Sequence, residues 1–332
     1  MKKNVLIFNV DSKLPNLAIM RLAGWHKARG DDVSVGRCSG VPDLVYASSI
    51  FTWSKRERWQ VAQLFPNAIV GGTGYANGIK LDQIVGCDAE TLKPDYSFWP
   101  DYQHSIGFTT RGCRFNCKFC VVPKKEGRPQ PVHTIADIWR GDPHPRNILL
   151  IDNDFFGQPK ESWHARMKEL QEGNFKVSFN QGINIRMMTE EAAEGLAQLD
   201  FYDDEFKYKR LYTAWDNLKD EARFKKGVET LARAGVSPKN LMVYMIIGFD
   251  PKETMEQVHY RFDEIHKLGA AAFPMVYRNP HGGDDKRPAD LNIFYQWAAS
   301  RLWQMVPWKE YRPWLDYLKK QEVREQQLSL LA

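Results

Sequence analysis

Three cysteines fall within eight residues of this 332-residue chain, in Arg111-Gly112-Cys113-Arg114-Phe115-Asn116-Cys117-Lys118-Phe119-Cys120. Their spacing is C-x3-C-x2-C, and only Cys38 and Cys87 lie elsewhere. Three thiolates on one short loop can hold three corners of a cubic iron–sulfur cluster, because such clusters are ligated by cysteine sulfur. The fourth iron would then lack a protein ligand from this loop, and a small molecule could bind there and receive an electron. A structural zinc site is the competing chemistry, and it takes four ligands, with His104 or His133 as the fourth. A disulfide framework is disfavoured by the odd cysteine count in a large chain.

Hydrophobic residues make up 43% of the chain, enough for a sizeable core. No run of about 18 apolar residues is present, so no membrane-spanning helix is expected. The start, Met1-Lys2-Lys3-Asn4-Val5-Leu6-Ile7-Phe8, has too short an apolar run for an export signal and reads as a first β-strand. Cysteine usage points to a reducing, cytoplasmic setting. With 46 basic and 41 acidic residues the formal charge is +5, which permits a nucleic-acid or acidic substrate without requiring one.

The elements around the loop alternate strand and helix. Strands are expected at Val5–Val10, Val33–Gly36, Leu44–Ala47 and 68–70, and helices at Leu17–Arg29 and Arg56–Leu64. Gly71–Gly74 reads as a tight turn after the fourth strand. His26, in mid-helix, reads as a surface residue. The segment 93–100, with two prolines, reads as an extended linker. A second alternating series follows. Its strands are Ser105–Thr109, Asn147–Asp152, Lys176–Asn180, Arg210–Ala214, Leu241–Gly248 and Ala271–Val276. Its helices are Ile135–Arg140, Lys160–Glu172, Glu190–Leu199, Leu218–Ala234 and Glu253–Leu268. Two tail helices, Ala289–Met305 and Trp314–Gln327, carry Trp297, Trp303, Trp308, Tyr311, Trp314 and Tyr317 among basic residues. Such a tail can stack on single-stranded nucleic acid, but packing against the body is the favoured reading.

The cysteine loop, with Phe119 at the aromatic position, resembles the C-x3-C-x-aromatic-C signature of the radical S-adenosylmethionine enzymes. The resemblance implies that Cys113, Cys117 and Cys120 ligate a [4Fe–4S] cluster. S-adenosylmethionine would chelate its open iron and be cleaved by one electron to a 5′-deoxyadenosyl radical. An electron donor such as a flavodoxin or ferredoxin is implied as partner. The six-strand series resembles the family's partial (β/α)6 barrel, whose chemistry collects at the C-terminal strand ends.

The resemblance to that barrel implies roles for further residues. Asp152, Asn153 and Asp154 end the second strand, where the family contacts the methionyl amine. They resemble an acidic version of that segment, and an acidic capping turn is the plain alternative. Arg186 could contact the cofactor carboxylate or form a surface salt bridge. Asp216 could accept from the ribose or, with Asn217, cap the next helix. Ile247 and Gly248, in Ile246-Ile247-Gly248-Phe249-Asp250-Pro251-Lys252-Glu253-Thr254, resemble the family's adenine-contacting fifth strand. Residues after the sixth strand, Tyr277–Gly283, could face substrate.

The first hundred residues look like the Rossmann-like, cobalamin-binding-type domain of one branch of the family. The match rests on the early strand, Pro42–Ser48 and the Gly-Gly turn after Val70. No Asp-x-His-x-x-Gly segment is present, so cobalamin is disfavoured. A second cluster of the methylthiotransferase type is also disfavoured, since Cys38 and Cys87 are too few. The expected organisation is therefore α/β: a small Rossmann-like domain at 1–100, a partial TIM-like barrel at 101–283 and a helical, aromatic-rich tail at 284–332. The alternative is a non-catalytic zinc or iron–sulfur protein that binds nucleic acid.

Overall fold

The structure, a computed structural model, describes residues 2–279 and 288–329. It is a mixed α/β architecture in which every strand pair is parallel except one short ribbon.

The first sheet contains β1 (Asn4–Asn9), β2 (Asp32–Val35), β3 (Leu44–Ser48) and β4 (Ile69–Gly71) in the order β2-β1-β3-β4. Helix α1 (Leu17–Ala28) follows β1, and α2 (Lys55–Leu64) follows β3. Asn16 starts α1 by accepting from the amides of Ala18 and Ile19, which satisfies donors a helix start leaves free. Val5, Ile7, Ile19, Leu22 and Tyr46 close the core of this sheet. A short helix, α3 (Leu81–Val85), ends at Gly86 in the left-handed conformation.

The second sheet is built from β5 (Ser105–Gly107), β8 (Asn147–Leu150), β9 (Lys176–Phe179) and β10 (Asp200–Phe201), in the order β10-β9-β8-β5. Between β5 and β8 lie β6 (Thr110–Arg111), α4 (Val122–Glu126), β7 (Gln130–Pro131) and α5 (Ile135–Ile138). Helices α6 (Lys160–Glu172) and α7 (Glu190–Ala197) flank β9 in sequence. The third sheet is β11-β12-β13, from Leu211–Ala214, Leu241–Ile247 and Ala271–Val276, with α8 (Glu221–Arg233) and α9 (Met255–Lys267) as its crossovers. The second and third sheets meet where the Ile183 amide donates to the Tyr212 carbonyl at 2.8 Å. The Tyr244 hydroxyl also donates to the Asn180 carbonyl at 3.3 Å. One hydrophobic core runs from Ile135 through Phe155, Trp215 and Phe262 to Trp297 beneath both sheets.

Several local expectations need correction. His26 is buried: its Nδ1 lies 2.7 Å from Asp31 and its Nε2 3.1 Å from the Tyr46 hydroxyl. Polar partners on both ring nitrogens make that burial tolerable. The expected strand Ser105–Thr109 stops at Gly107, and the chain then turns into the antiparallel ribbon β6–β7. Strand β10 was not foreseen. The expected helix Leu218–Ala234 begins as one 3-10 turn, Leu218–Asp220. In the tail, α10 (Ala289–Ala299) ends before Arg301, whose φ of 59° leaves the helical region. The next helix, α11, runs over Arg312–Ser329.

Trp297, Trp303, Trp308 and Tyr311 pack against the core as favoured, with His259 of α9 4.8 Å from Trp308 and His266 4.1 Å from Trp303, whereas Trp314 stacks on Trp308 and Tyr317 on Trp314. The end of the sixth-strand segment, from Pro280 to Gly283, and the charged loop to Arg287 fall outside the described residues.

Candidate active site

The cysteine loop begins at the ribbon β6–β7. Gly112 has φ 86°, and a Cβ there would stand 2.4 Å from the Arg128 carbonyl oxygen, so glycine is required by both conformation and space. The Cys113 amide donates to the Gly127 carbonyl at 3.1 Å, and the Cys120 amide donates to the Cys117 carbonyl at 3.0 Å. Glu126 holds the base of the loop. It accepts from the Gly112 amide at 3.1 Å and from Asn153 Nδ2 at 3.0 Å, and it pairs with Arg111 at 3.1 Å.

The C-terminal ends of the parallel strands meet this loop one after another. From the end of β8, Asp154 receives the Arg114 amide at 3.1 Å and pairs with the Arg114 guanidinium at 2.9 and 3.0 Å; Cys113 Sγ lies 3.9 Å away. From the end of β9, Arg186 reaches the loop. It lies 4.6 Å from the Phe115 ring and pairs with Asp220 at 2.9 Å, and the Cys117 thiol helps to hold its pKa up. From the end of β11, Asp216 is close enough to Cys120 for its charge to act on the thiol. From the end of β12, Phe249 contacts Phe119 edge-on at 5.4 Å, and Tyr277 at the end of β13 contacts Phe249 at 5.0 Å.

The expected cofactor residues do not all stand alike. Asn153, Asp154, Arg186, Asp216 and Phe119 are gathered around the loop. Asp152 is buried, and its two oxygens accept from the Thr109 amide at 2.7 Å, the Thr110 amide at 3.1 Å and the Thr109 hydroxyl. It ties the turn between β5 and β6 to the end of β8. Asp216 does not cap a helix; it accepts from the Ile246 amide at 3.1 Å. Nor does Asn217 place its side chain on a helix amide, since its Nδ2 donates to Asp220. Ile247 is fully buried, and Gly248 follows it with φ 76°.

Four functional-looking residues escaped the sequence reading. Arg114 and Glu126 sit inside and just after the motif, where charged residues next to cysteines were the available signal. Glu253 and Arg261 form a buried ion pair behind β12. Arg261 donates to the Trp215 carbonyl at 2.8 Å and the Ile246 carbonyl at 2.9 Å, while Glu253 accepts from the Gly248 amide at 3.3 Å. That pair fixes the strand end beside Asp216. Arg261 lies eight residues along the chain on a helix, and no local pattern announces its partner.

Burial and charge set the protonation tendencies. Burial pushes the Cys113 thiol up to about 11, with Asp154, Cys117 and Cys120 adding negative charge around it. Burial raises Cys120 too. Thiolates at these positions therefore need a cation among them, as a metal or cluster supplies. Burial works against the charge on Arg186, but Asp220 and Cys117 outweigh it and raise its pKa, so it stays cationic beside Cys117. Burial likewise raises the Asp216 carboxyl.

Among the described residues, no group of three His, Cys, Asp or Glu side chains stands in metal-holding geometry. The two candidate fourth zinc ligands are engaged elsewhere. His133 lies 3.2 Å from both Glu90 and Arg21, and His104 lies 3.1 Å from Asn147 and 4.5 Å from the Phe206 ring. The donor chemistry, three soft thiols on one loop with a cation beside one of them, suits an iron–sulfur cluster with one open iron better than a four-ligand zinc site.

No family model matches the sequence, and no curated protein matches it. Among solved structures, the chain is similar to the apo form of OxsB, a cobalamin-dependent S-adenosylmethionine radical enzyme. The identity is 13% and the TM-score 0.39, over 83% of this chain and 49% of that one. The chain thus spans about half the length of that structure. No helix among the described residues is long and apolar enough to cross a membrane.

Proposed function

We propose that this chain is a radical S-adenosylmethionine enzyme. The observation that carries the reading is the convergence of the ends of β8, β9, β11 and β12 on a C-x3-C-x2-C loop that follows β5. In α/β folds the C-terminal strand ends are where ligands and chemistry gather. On this reading residues 101–283 form the partial (β/α)6 barrel, residues 1–100 a Rossmann-like domain, and residues 284–332 the tail.

Cys113, Cys117 and Cys120 would hold the [4Fe–4S] cluster. When bound, the cluster supplies the electron that cleaves S-adenosylmethionine. The chain's own residues bind and orient. Arg186, held cationic by Asp220, can attract the cofactor carboxylate. Asn153 offers a polar side chain at the end of β8. Asp216 presents an acceptor for ribose hydroxyls. Gly248, whose Cβ position is filled by Leu291, turns the chain after Ile247 at the strand end expected to lie against the adenine. A small acidic redox protein such as a flavodoxin or ferredoxin would supply electrons in a reducing cytoplasm. Cobalamin stays disfavoured, since the chain has no Asp-x-His-x-x-Gly segment.

Anaerobic reconstitution with iron, sulfide and a reductant tests the proposal. About four irons and four sulfides per chain are expected, followed by 5′-deoxyadenosine on addition of S-adenosylmethionine. Tightly bound zinc without sulfide would overturn it, as would a cluster that cleaves no S-adenosylmethionine.

A further inference from the structure

Glu90 precedes the second sheet in the chain, yet it reaches the ribbon that carries the cysteine loop. It sits on a 3-10 turn, Ala89–Thr91, between α3 and β5. That turn is well anchored. Asp82 accepts from the Ala89 amide at 2.7 Å, Asp88 accepts from the Glu90 amide at 2.9 Å, and Ala89 is buried in the core of the first sheet. Arg21 of α1 pairs with the Glu90 carboxylate at 2.7 Å, and its side chain is 7% exposed.

The same carboxylate meets both arms of the ribbon. Its Oε1 lies 3.7 Å from Arg111 Nε at the end of β6, and its Oε2 lies 3.2 Å from His133 Nε2, just past β7. Arg111 extends the contact inward. Its Nη2 pairs with Glu126 at 3.1 Å, and its guanidinium lies 3.9 Å from the Phe108 ring. Glu126 in turn accepts from the Gly112 amide and from Asn153. A line of alternating charge thus runs from α1 to the base of the cysteine loop.

The line rests on apolar packing. Leu17 and Met20, on the same helix as Arg21, pack with Ile106, Phe108, Leu149 and Phe206. A second tie joins the same parts of the chain: Lys125 of α4 donates to the Thr73 hydroxyl, in the turn after β4, at 2.8 Å. Charges partly shielded from water interact more strongly than exposed pairs, and removing one member leaves the others uncompensated. Two guanidinium groups converge on Glu90, so a neutral amide of the same shape would leave them to repel each other.

We propose that Glu90 is a positioning residue for the cysteine loop. It holds both arms of the ribbon, and Arg111 and Glu126 carry that constraint to Gly112, beside Cys113. The first hundred residues are thereby part of the scaffold of the candidate active site. The proposal rests on the radical-enzyme reading for the cluster that the loop would hold; the clamp itself needs no metal.

Hydrogen–deuterium exchange on the full chain without metal tests the clamp. Glu90→Gln should speed exchange across 112–127 about tenfold or more, with α6 (Lys160–Glu172) staying within about twofold. Asp31→Asn breaks the His26 pair, outside the ribbon, and should leave 112–127 within about twofold of wild type. Circular dichroism checks folding, and Arg111→Gln, expected to act alike, serves if Glu90→Gln does not fold. After reconstitution with iron and sulfide, Glu90→Gln should also alter the electron paramagnetic resonance spectrum of the reduced cluster, which lost stability alone would not do. Four results would overturn the proposal: exchange in 112–127 unchanged by Glu90→Gln; a rise spread evenly over the chain, α6 included; equal acceleration by Asp31→Asn; or a cluster spectrum identical to wild type. Exchange is read without metal, so a chain that binds zinc or cleaves no S-adenosylmethionine still decides this point. Unchanged exchange in a chain that does cleave it overturns the clamp alone.

Discussion

Arg114 and Asp154 form a two-point ion pair between the cysteine loop and the turn after β8, with Nε–Oδ2 at 2.9 Å and Nη2–Oδ1 at 3.0 Å. The Asp154 side chain is fully buried, whereas that of Arg114 keeps 29% of its surface exposed. Removing Arg114 leaves a buried carboxylate without its cation, 3.9 Å from the Cys113 sulfur. Arg114→Ala should lower the unfolding free energy by about 3 kcal/mol. Arg114→Lys should recover only part of this, because an ammonium cannot match both oxygens. Urea denaturation reads both; an unchanged midpoint for Arg114→Ala would remove this pair from the account of how the loop is held.

The five cysteines should separate cleanly. None is in a disulfide, and Cys87 is exposed. Cys117→Ala should abolish iron and sulfide retention after reconstitution while leaving the far-ultraviolet circular dichroism unchanged. Cys38→Ala and Cys87→Ala should retain the full complement. Iron loss in either of those two would show that the cluster draws on ligands outside the loop.

Gly248→Ala meets two separate penalties. Its φ of 76° is strained for any L side chain, and the new Cβ would stand 2.3 Å from Leu291 Cδ1. The sum should be about 2–3 kcal/mol of stability. Adding Leu291→Ala should remove the steric part and leave the backbone part, so the double-mutant cycle should show positive coupling. Strict additivity in thermal unfolding would mean that Leu291 moves aside without cost.

Stability should depend on pH with opposite signs in two windows. Burial pushes the Asp152 carboxyl up to about 7, against the three hydrogen bonds donated to it. Its folded pKa exceeds the unfolded value near 3.8, so the folded state holds the extra proton. The contribution is therefore full below about 4 and is lost as pH rises to about 7. Glu90 behaves the other way. Burial opposes its charge, but His133, Arg21 and Arg111 together lower it to about 2. Its contribution is present above about 4.5 and is lost as pH falls toward 2. Asp152→Asn should flatten the neutral limb of a urea-midpoint profile, and Glu90→Gln the acidic limb. Identical profiles for wild type and both variants would show that neither carboxyl governs these limbs.

The sequence by itself determined the local features. Cysteine spacing singled out Cys113, Cys117 and Cys120, because ligand spacing on one loop is a property of consecutive residues. The apolar run Val5–Val10 announced a buried parallel strand, and Leu241–Gly248 and Ala271–Val276 read as strands, which stand at Leu241–Ile247 and Ala271–Val276. Proximity between residues distant in sequence was decided only in three dimensions. Asp152 and Asp154 are two residues apart and look alike in the chain. The turn after β8 sends one to the Thr109–Thr110 backbone and the other to Arg114. His26 looked like a surface residue until the fold brought Asp31 and Tyr46 to its two nitrogens. The pairing of Arg261 with Glu253, and of Trp53 with Arg278, depends on how strand ends are stacked. No local spacing encodes that stacking, because it follows from packing the sheets onto one core.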